Sequence, residues 1–385
     1  MGPLAVAGAA ATAVVLAHGV AWSAFALVAL PRPGALPPAR RPWRLAVIVP
    51  AHDEEAMLGG TLASLRAAAY DPMPEIIVVA DNCGDGTAAV AREHGATVLE
   101  RFDPDRRGKS YALSFALAAL AERREPPEAV CFVDADTTVA PTFFAAVAAR
   151  LDGGAEAVQV HYEAAAGDSP LSRLRHLAFL LVHRARPLGM ARLGLGTGLK
   201  GNGMAFRWHL IRDGFAGSGI TEDAAMTLAL AKRGVPVAFE PRAWVRGHMA
   251  SSYAGARVQD ERWEGGRFGL AREALSAAAA ALSKGHPATA AAALDVASLP
   301  LTLLGALAAA GSVLVLVGGG PAWLAAAGPL SLATYAAVGL AGARVSPREL
   351  AALAEAPRFI AHKLRTYAAL ATRRGPAGWE RTTRE

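Results

Sequence analysis

The sequence predicts an α/β domain with a mostly parallel sheet, placed between membrane-spanning helices. Hydrophobic residues make up 53% of the chain and charged residues 19%, a composition too apolar for an ordinary soluble enzyme. Between the most apolar segments, residues 44–265 alternate short apolar runs with stretches of helical periodicity. Such alternation is typical of strands joined by crossover helices in a parallel sheet.

The first predicted element is an uncharged apolar run over residues 4–30. A spanning helix needs about 20 such residues, and this run is too long for the core of a secretory signal. We therefore interpret residues 1–31 as a transmembrane anchor. Arg32, Arg40, Arg41 and Arg44 follow the anchor. Because basic residues beside a span stay in the cytoplasm, we expect the N-terminus outside and the next domain inside.

Two more spans are predicted within residues 296–343, at about 296–317 and 323–343. The glycine-rich turn between them carries no charge, and Arg344 and Arg348 after them return the chain to the cytoplasm. Together the three spans predict a multi-pass protein of the cell membrane with a cytoplasmic α/β domain.

The remaining segments flank the second pair of spans. Residues 269–295 are interpreted as a linker or interfacial segment, and residues 347–385 as an amphipathic helix with a C-terminal tail. The pattern of this helix fits a position on the membrane surface, and it fits packing against the α/β domain equally well.

Within the α/β domain, five apolar runs predict strands at residues 45–49, 75–80, 97–100, 130–133 and 158–161. Helical patterns lie between them at residues 55–68, 87–93, 110–121 and 141–150. In an open α/β sheet, ligands bind beyond the C-terminal ends of the strands. Polar residues that directly follow a predicted strand are therefore candidates for a functional site.

Acidic residues follow three of these strands: Asp53 and Glu54, Asp81 and Asp85, and Asp134 and Asp136. Each group alone is often only a helix cap. Gathered at one sheet edge they would repel each other without a cation or a donor-rich ligand between them. Asp134 and Asp136 suit Mg²⁺ or Mn²⁺, which would neutralise a leaving diphosphate. Asp53 and Asp81 suit hydrogen bonds from a base or a ribose.

A basic loop with Arg106, Arg107 and Lys109 leads into the third predicted helix, at residues 110–121. The loop could attract a diphosphate or form a solvated turn, and we favour a substrate role for Lys109.

The glycine-rich residues 196–201 lack the strand and helix that flank a dinucleotide-binding loop. We interpret them as a flexible loop that leads to Gly201, Asn202 and Gly203 near the acceptor.

The net charge of +6 suits nucleic acid, anionic lipid or an anionic substrate. A nucleic-acid role lacks an interleaved basic and aromatic stripe or a known binding motif, so no nucleic-acid partner is expected. Cys83 and Cys131 fall in predicted cytoplasmic segments, where reduced thiols are expected.

Six motifs resemble, in order, those of family 2 glycosyltransferases. They are Pro50-Ala51-His52-Asp53-Glu54, Asp81-Asn82, Gly108-Lys109-Ser110-Tyr111-Ala112-Leu113, Asp134-Ala135-Asp136, Thr221-Glu222-Asp223 and Gln259-Asp260-Glu261-Arg262-Trp263. The resemblance covers residues 44–268 and is greatest to the membrane branch with cellulose, chitin and hyaluronan synthases and ceramide glucosyltransferase-like enzymes. The last motif, Gln-x-x-Arg-Trp, is the most specific.

The resemblance implies an inverting enzyme with a GT-A fold, a UDP-sugar donor and a Mg or Mn ion. The residues implied in binding the nucleotide sugar are Pro50, Ala51, Asp53, Asp81, Lys109, Asp134 and Asp136, with Asp136 and Asp134 at the metal. Asp223 is implied as the general base, with Glu222 as its rival. We expect Thr221 to cap the helix that begins at Glu222, whose dipole would help keep Asp223 ionised.

Gln259, Arg262 and Trp263 have the spacing of one helical face. Arg262 could pair with the diphosphate while the Trp263 ring supports a sugar. The alternative is an amphipathic helix with Trp263 in the core.

The acceptor is expected to be membrane-associated, either a lipid or lipid-linked glycan or a growing polysaccharide. A processive synthase needs enough helices to line a channel, and three spans are few without an oligomer or a partner subunit. A lipid acceptor is therefore favoured. A non-catalytic membrane subunit that binds nucleotide sugar is a hypothesis of another class, and the metal pair, the base and the Arg-Trp motif argue against it.

Overall fold

The computed structural model describes residues 2–35, 37–215, 221–249 and 253–372, without the side chains at positions 254–256, 258, 259 and 262. Its strands are β1 (Leu45–Ala51), β2 (Glu75–Asp81), β3 (Thr97–Arg101), β4 (Ala129–Phe132), β5 (Thr137–Val139), β6 (Ala157–Ala164), β7 (Met204–Arg207) and β8 (Val237–Gly247).

The helices are α1 (Pro3–Ala29), α2 (Glu55–Ala67), α3 (Thr87–Glu93), α4 (Lys109–Ala121), α5 (Phe143–Asp152), α6 (Pro170–Phe179), α7 (Arg186–Arg192), α8 (Trp208–Ile211), α9 (Glu222–Lys232), α10 (Tyr253–Ser283), α11 (Pro287–Ala297), α12 (Leu301–Val317), α13 (Ala322–Ala343), α14 (Pro347–Leu350) and α15 (Ala356–Thr372). A π-helical turn, Leu180–Ala185, joins α6 to α7. Each strand and helix predicted in the α/β domain is present, with ends displaced by a few residues.

The eight strands form one sheet in the order β3-β2-β1-β4-β7-β6-β8-β5. The first four strands are parallel, whereas β7 runs antiparallel to both β4 and β6. The sheet is therefore mixed, and the prediction of a mostly parallel sheet holds for its first half. Strand β8 escaped prediction because Glu240, Arg242 and Arg246 interrupt its apolar pattern.

Two apolar layers cover the sheet, one on each face. Val47 and Val49 of β1 pack with Leu58 and Leu62 of α2, while Ile48 faces the opposite layer beneath α4. Successive side chains of a strand point to opposite faces, so a strand covered on both sides is apolar throughout. This packing explains why the sequence of β1 is a short continuous apolar run. It also fixes the C-terminal end of β1 at the sheet edge.

Helices α1 and α13 are long and apolar enough to cross a membrane. Helix α1 packs closely on α12, where a Cβ atom added to Gly8 would lie 2.7 Å from the carbonyl oxygen of Gly311. Small residues at such a crossing let two backbones approach. The N-terminal helix thus packs on the C-terminal ones, and two of these helices have the length and composition of a membrane span.

The predicted span at residues 296–317 is not one straight helix. Helix α11 ends at Ala297 and α12 begins at Leu301, and the two axes are bent by 68°. Pro300 caps α12 and cannot continue α11, because proline lacks the amide hydrogen that the helix needs. The bent pair raises the number of candidate spans among the described residues from two to three.

The predicted linker at residues 269–295 is helical instead. Helix α10 continues past residue 268 to Ser283, and α11 follows after a short turn. Ala274, Ala277 and Ala293 of these helices form an apolar cluster with Leu228 of α9. These helices therefore pack on α9 of the α/β domain, and the predicted boundary at 268 falls inside α10.

The C-terminal amphipathic segment forms α14 and α15, and α15 packs on α10 and α12. A Cβ atom added to Gly265 of α10 would lie 3.1 Å from Leu370, and the hydroxyls of Thr302 and Tyr367 lie 2.8 Å apart. Leu364 on the other side of α15 is 42% exposed. Helix α15 is thus packed against α10 and α12, and a position on the membrane surface stays a prediction. Residues 373–385 lie outside the description.

Candidate active site

One cleft of about 1610 Å³ runs from the sheet edge to the membrane helices. We call the part at the sheet edge the outer end; its predicted residues are Pro50, Ala51, Asp81, Lys109, Asp134 and Asp136. We call the part beyond Trp263 the inner end; it is lined by Arg186, Lys200, Asp295, Leu299, Leu301 and Phe359. Glu222 and Asp223 line the cleft between the two ends.

Asp81 ends β2 at the floor of the outer end and is 6% exposed. Its Oδ1 accepts hydrogen bonds from Arg101 Nη1 at 2.6 Å and Asn82 Nδ2 at 3.0 Å. Arg101 also pairs with Asp103 at 3.1 Å and is itself nearly buried. The buried arginine therefore holds Asp81 in one orientation, a role that the sequence did not reveal.

Asp53 does not lie among the described residues that line the cleft. Its backbone has φ = 54°, and its Oδ1 accepts a hydrogen bond from Gly84 N at 2.7 Å. The side chain thus ties the loop after β1 to the loop after β2. Asp53 therefore lies beside the outer end, between the cleft-lining residues His52 and Glu54, and its contact with the nucleoside stays a prediction.

Lys109 begins α4 and extends its ammonium group into a set of oxygen atoms. Its Nζ contacts Asp134 Oδ1, donates to Gly201 O at 2.6 Å and lies 3.8 Å from Glu222 Oε1. Burial lowers the pKa of Lys109, but Asp134 and Glu222 outweigh it, so the pKa is raised overall. Lys109 therefore stays charged and links the outer end to the carboxylates of α9.

The Asp-Ala-Asp loop rests on Asn202, which is fully buried. Asn202 Oδ1 accepts from Asp134 N at 3.2 Å, and its Nδ2 donates to Thr137 Oγ1 at 2.8 Å. Thr137 Oγ1 lies 3.5 Å from Asp136 Oδ1. Asn202 thus lies beneath the loop and fixes both aspartates, whereas its neighbour Gly201 lines the cleft as predicted.

Glu222 and Asp223 begin α9, which has Thr221 at the predicted capping position. The Thr221 side chain makes no capping hydrogen bond; instead Asp223 Oδ1 accepts from Ala224 N at 2.8 Å. Burial raises the pKa of both carboxyl groups, whereas Lys109 lowers them. Loss of hydration on burial thus opposes ionisation of Asp223, and the expected help from the helix dipole stays a prediction.

The ring of Trp263 lines the cleft between its two ends. The ring centroid lies 6.4 Å from that of Phe179, and the Arg175 guanidinium lies 6.0 Å from it. Of the two predicted positions, the structure has Trp263 at the cleft wall and not in the core. The side chains of Gln259 and Arg262 lie outside the description, so their predicted contacts are not placed.

A sequence model described as "Glycosyltransferase like family 2" matches residues 42–266, more than half of the chain. The chain belongs to glycosyltransferase family 2. It is therefore a glycosyltransferase, and its α/β domain has the GT-A fold implied by the motifs.

Two individual proteins show the range of similarity. A segment of 95 residues is 38% identical to 4,4'-diaponeurosporenoate glycosyltransferase of Staphylococcus aureus (strain MRSA252), covering 24% of this glycosyltransferase and 24% of that protein. The chain thus spans about a quarter of the length of the curated relatives it matches. The mannosyltransferase PcManGT from Pyrobaculum calidifontis, solved in complex with GDP-Man and Mn²⁺, superposes with a TM-score of 0.54. It covers 96% of this chain and 99% of its own at 21% identity, which supports the fold alone.

The carboxylates of this glycosyltransferase fit a hard divalent cation at the outer end. Asp136 and Asp134 both line the cleft, and such a cation takes one or two carboxylates and completes its shell with phosphate and water oxygens. A second group, Asp53, Cys83 and Asp85, has ligand atoms within 4.8 Å of one another. Burial raises the pKa of the Cys83 thiol, and sulfur is a poor ligand for Mg²⁺ or Mn²⁺, so this group fits less well.

Three residues of the inner end also escaped the sequence prediction, namely Arg186, Lys200 and Asp295. They lie in different elements, and no motif joins them. Their spacing along the chain gave no signal, although an aspartate inside an apolar stretch is itself unusual and could have drawn attention to residue 295.

Proposed function

We propose that this glycosyltransferase transfers a sugar from a nucleoside diphosphate sugar to a hydroxyl of an acceptor held at the membrane. One observation carries the proposal: a single cleft joins the carboxylates at the sheet edge to the apolar wall made by α12 and α15. A polar donor and an amphiphilic acceptor can thus meet between the two ends. The motifs favour a UDP-sugar and a lipid or lipid-linked acceptor.

The donor occupies the outer end in this proposal. Asp81, oriented by Arg101, accepts hydrogen bonds from the base or ribose, and Lys109 contacts the diphosphate. Asp136 and Asp134 would hold the divalent cation, which supplies charge neutralisation for the departing diphosphate. Arg262 and Gln259 are assigned to the diphosphate side by their motif.

Transfer takes place between the two ends. The acceptor oxygen attacks the anomeric carbon from the side opposite the diphosphate, whose bond to carbon breaks as the new bond forms, so the configuration inverts. Asp223 accepts the hydroxyl proton, and the diphosphate leaves with the electron pair. A base with a raised pKa is a stronger proton acceptor while it is ionised, and burial provides this for Asp223. Glu222 is the rival base, but its carboxylate faces Lys109.

We infer that the catalytic domain lies in the cytoplasm and the N-terminus outside. Arg32, Arg40 and Arg41 after α1, and Arg344 after α13, support this orientation. Protease protection in sealed membrane vesicles of known orientation tests it. Cleavage of an N-terminal tag from the cytoplasmic side would reverse the assignment.

The first experiment is release of nucleoside diphosphate by the purified full chain with a panel of UDP-sugars and GDP-sugars. The panel is run with and without Mn²⁺ or Mg²⁺ and with and without membrane lipid. We expect turnover with at least one UDP-sugar, dependent on metal and increased by lipid. The product also decides the acceptor class: chains longer than a few sugars would replace the lipid acceptor with a processive synthase.

The second experiment is the Asp223→Asn variant. Loss of a general base costs about 10²–10⁴-fold in rate, so nucleotide release should fall by that factor while donor binding is retained. Asp213→Asn is a matched control, because Asp213 is 89% exposed in its side chain and lies outside the cleft. Equal release before and after the Asp223 change would favour a non-catalytic nucleotide-sugar-binding subunit.

A further inference from the structure

Three cationic side chains surround one carboxylate at the inner end. Arg186 Nη2 lies 2.8 Å from Asp295 Oδ1, and Lys200 Nζ donates to Asp295 Oδ2 at 2.7 Å. Arg267 Nη2 donates to the backbone oxygens of Asp295 and Ser298 at 3.3 and 3.2 Å. Arg186, Lys200, Arg267 and Asp295 all line the cleft. We call these four residues the cationic cluster.

Two polar atoms beside this cluster are buried without a hydrogen-bond partner among the described residues. They are Nε of Arg186, a residue only 2% exposed, and Nδ1 of His183, which lines the cleft next to it. A buried polar group left unpaired costs about 1–3 kcal/mol, and one on a charged group costs more. Arg186 lines the cleft, and its unpaired Nε–H is a donor that suits an oxygen atom of a ligand.

The charge of the cluster is also unbalanced. Asp295 neutralises one of the three cations, and the next carboxylate towards the outer end is Asp223, whose pKa burial raises while Lys200 and Arg267 lower it. A net positive charge in a poorly hydrated place attracts an anion more strongly than it would in water. The cluster therefore suits a ligand that carries negative charge.

The position of the cluster indicates the kind of ligand. The Arg186 guanidinium stacks on Trp22 of α1 at 4.7 Å, about two helical turns or 10 Å before α1 ends at Ala29. In the orientation proposed above, this distance places the cluster at the depth of the head groups and upper chains of the cytoplasmic leaflet. The wall next to the cluster is apolar, with Leu299, Leu301 and Phe359. An acidic group attached to a hydrocarbon chain fits both surfaces.

We propose that the cationic cluster binds the acidic group of an amphiphilic acceptor, a carboxylate or a phosphate, while a nearby hydroxyl of the same molecule faces Asp223. Lys200 directly precedes Gly201, and a Cβ atom at Gly201 would lie 3.5 Å from Asp223 Oδ2. The acidic group and the reacting hydroxyl of the acceptor are therefore separated by only a few bonds. This inference rests on the proposed function and adds the chemistry by which the acceptor is chosen.

The acidic group takes no part in the bond changes. The hydroxyl oxygen bonds to the anomeric carbon, its proton passes to Asp223, and the diphosphate leaves with the electrons of its bond to the sugar. A purely structural cluster would neutralise Asp295 and fix α11 to the loop at Lys200. That function requires one or two cations, and it leaves the excess charge and the unpaired nitrogens unexplained.

The test compares acceptors that differ only in the acidic group. One pair is an alkylglycerol and the matching alkylglycerol phosphate; the other is a long-chain diol and the fatty α-hydroxy acid of equal length. The full chain is reconstituted in neutral phosphatidylcholine with the donor found by the nucleotide-release panel. We expect the acidic member of at least one pair to have a KM about tenfold lower or more, and the favoured pair distinguishes phosphate from carboxylate.

Variants of the cluster then separate binding from structure. Lys200→Met should raise the KM for the acidic acceptor about tenfold and leave the KM for its neutral partner little changed, while any change in kcat is shared by the two acceptors. Arg192→Met is the matched control: Arg192 lies on α7 but donates to Val28 O and Pro31 O outside the cleft. If Lys200→Met does not fold, Arg267→Gln replaces it, because Arg267 contacts only backbone oxygens of the cluster.

Equal KM values for acidic and neutral acceptors in the native enzyme would overturn the inference and leave the proposed function intact. A parallel rise of both KM values in Lys200→Met would mean that the cluster is structural. Sugar transferred to the acidic group itself, giving an alkali-labile product in the Asp223→Asn variant as well, would also overturn it. Absence of turnover with every donor would instead defeat the proposed function.

Discussion

The outer and inner ends of the cleft are both charged, yet they are assembled differently. At the outer end, Asp81 and Asp134 stand at or just after the ends of strands, where the sheet itself brings them together. At the inner end, Arg186, Lys200 and Asp295 come from a helix, a loop and a bent helix pair. The first arrangement follows from a common architecture that many sequences share. The second depends on tertiary contacts particular to this chain, so it is where acceptor selection can vary.

The largest effect is expected from Asp136→Asn at the outer end. Removal of a metal ligand should reduce kcat by about 10²–10³-fold and abolish the stimulation by Mn²⁺ or Mg²⁺. Nucleotide release titrated with metal measures both. Asp85→Asn serves as the control, since Asp85 belongs to the other group of possible ligands. If Asp85→Asn removes metal stimulation and Asp136→Asn does not, the metal is held by the group of Asp53, Cys83 and Asp85 and not by Asp136.

The next effect concerns how the inner end is held together. Lys363 of α15 contacts Asp260 at 3.1 Å and Glu264 at 2.8 Å on α10, and all three are nearly buried. Lys363→Met removes the cation that Asp260 and Glu264 share and leaves Asp260 the longer contact with Arg175 at 3.7 Å, which should cost about 3 kcal/mol of unfolding free energy. Thermal unfolding in detergent would show this as a clear drop in Tm.

The exposed pair Lys232 and Glu273 provides the control for that prediction. Both side chains are about half exposed, so Lys232→Met should change stability by less than about 1 kcal/mol. Equal losses of Tm for the two lysine variants would mean that α15 is not fixed to α10 by its buried charges.

A smaller effect is expected from Arg101→Lys. Lysine keeps the charge beside Asp81 but not the fork that contacts both Asp81 and Asp103, so Asp81 loses its fixed orientation. We expect the KM for the donor to rise about tenfold, with the KM for the acceptor unchanged. Initial-rate kinetics with each substrate varied separately measure the two values. A rise in the acceptor KM instead would show that the two ends are not independent.

The smallest predicted effect is a displacement of the pH profile. Asp223 must be ionised to accept a proton, and burial raises its pKa, so kcat should fall as the pH decreases through that raised pKa. Glu222→Gln removes a neighbouring negative charge, which stabilises ionised Asp223 and lowers its pKa. The acid limb should move to lower pH by less than about one unit. A complete loss of activity in Glu222→Gln would make Glu222 the base.

The parts of the fold that the sequence predicted are those with a local signal. Strands β1, β2 and β4 are buried on both faces and read as apolar runs, and the acidic residues after them marked the outer end. Thr221 was correctly placed before α9, but its hydroxyl does not cap the helix, because Asp223 accepts the first-turn hydrogen bond. The sequence thus predicts where α9 begins, but it does not predict which side chain accepts the hydrogen bond in its first turn.

The inner end had no such signal. Residues 296–317 are apolar enough for a single span, and their composition alone does not indicate the break that Pro300 causes. Lys200 and Asp295 are 95 positions apart and pair only because α11 folds back on the catalytic domain. Contacts of this kind follow from the packing of whole elements, which residue periodicity does not encode.

The 68° bend between α11 and α12 changes how the acceptor reaches the enzyme. Under the proposed function, we expect the break to open the cleft sideways towards the lipid, so that a substrate arrives by diffusion in the leaflet plane and not from the aqueous phase. Its effective concentration is then its fraction among the surrounding lipids. Diluting the acceptor with inert phospholipid should slow the reaction even when the total amount per volume is constant, a kinetic property set by the geometry of one helix break.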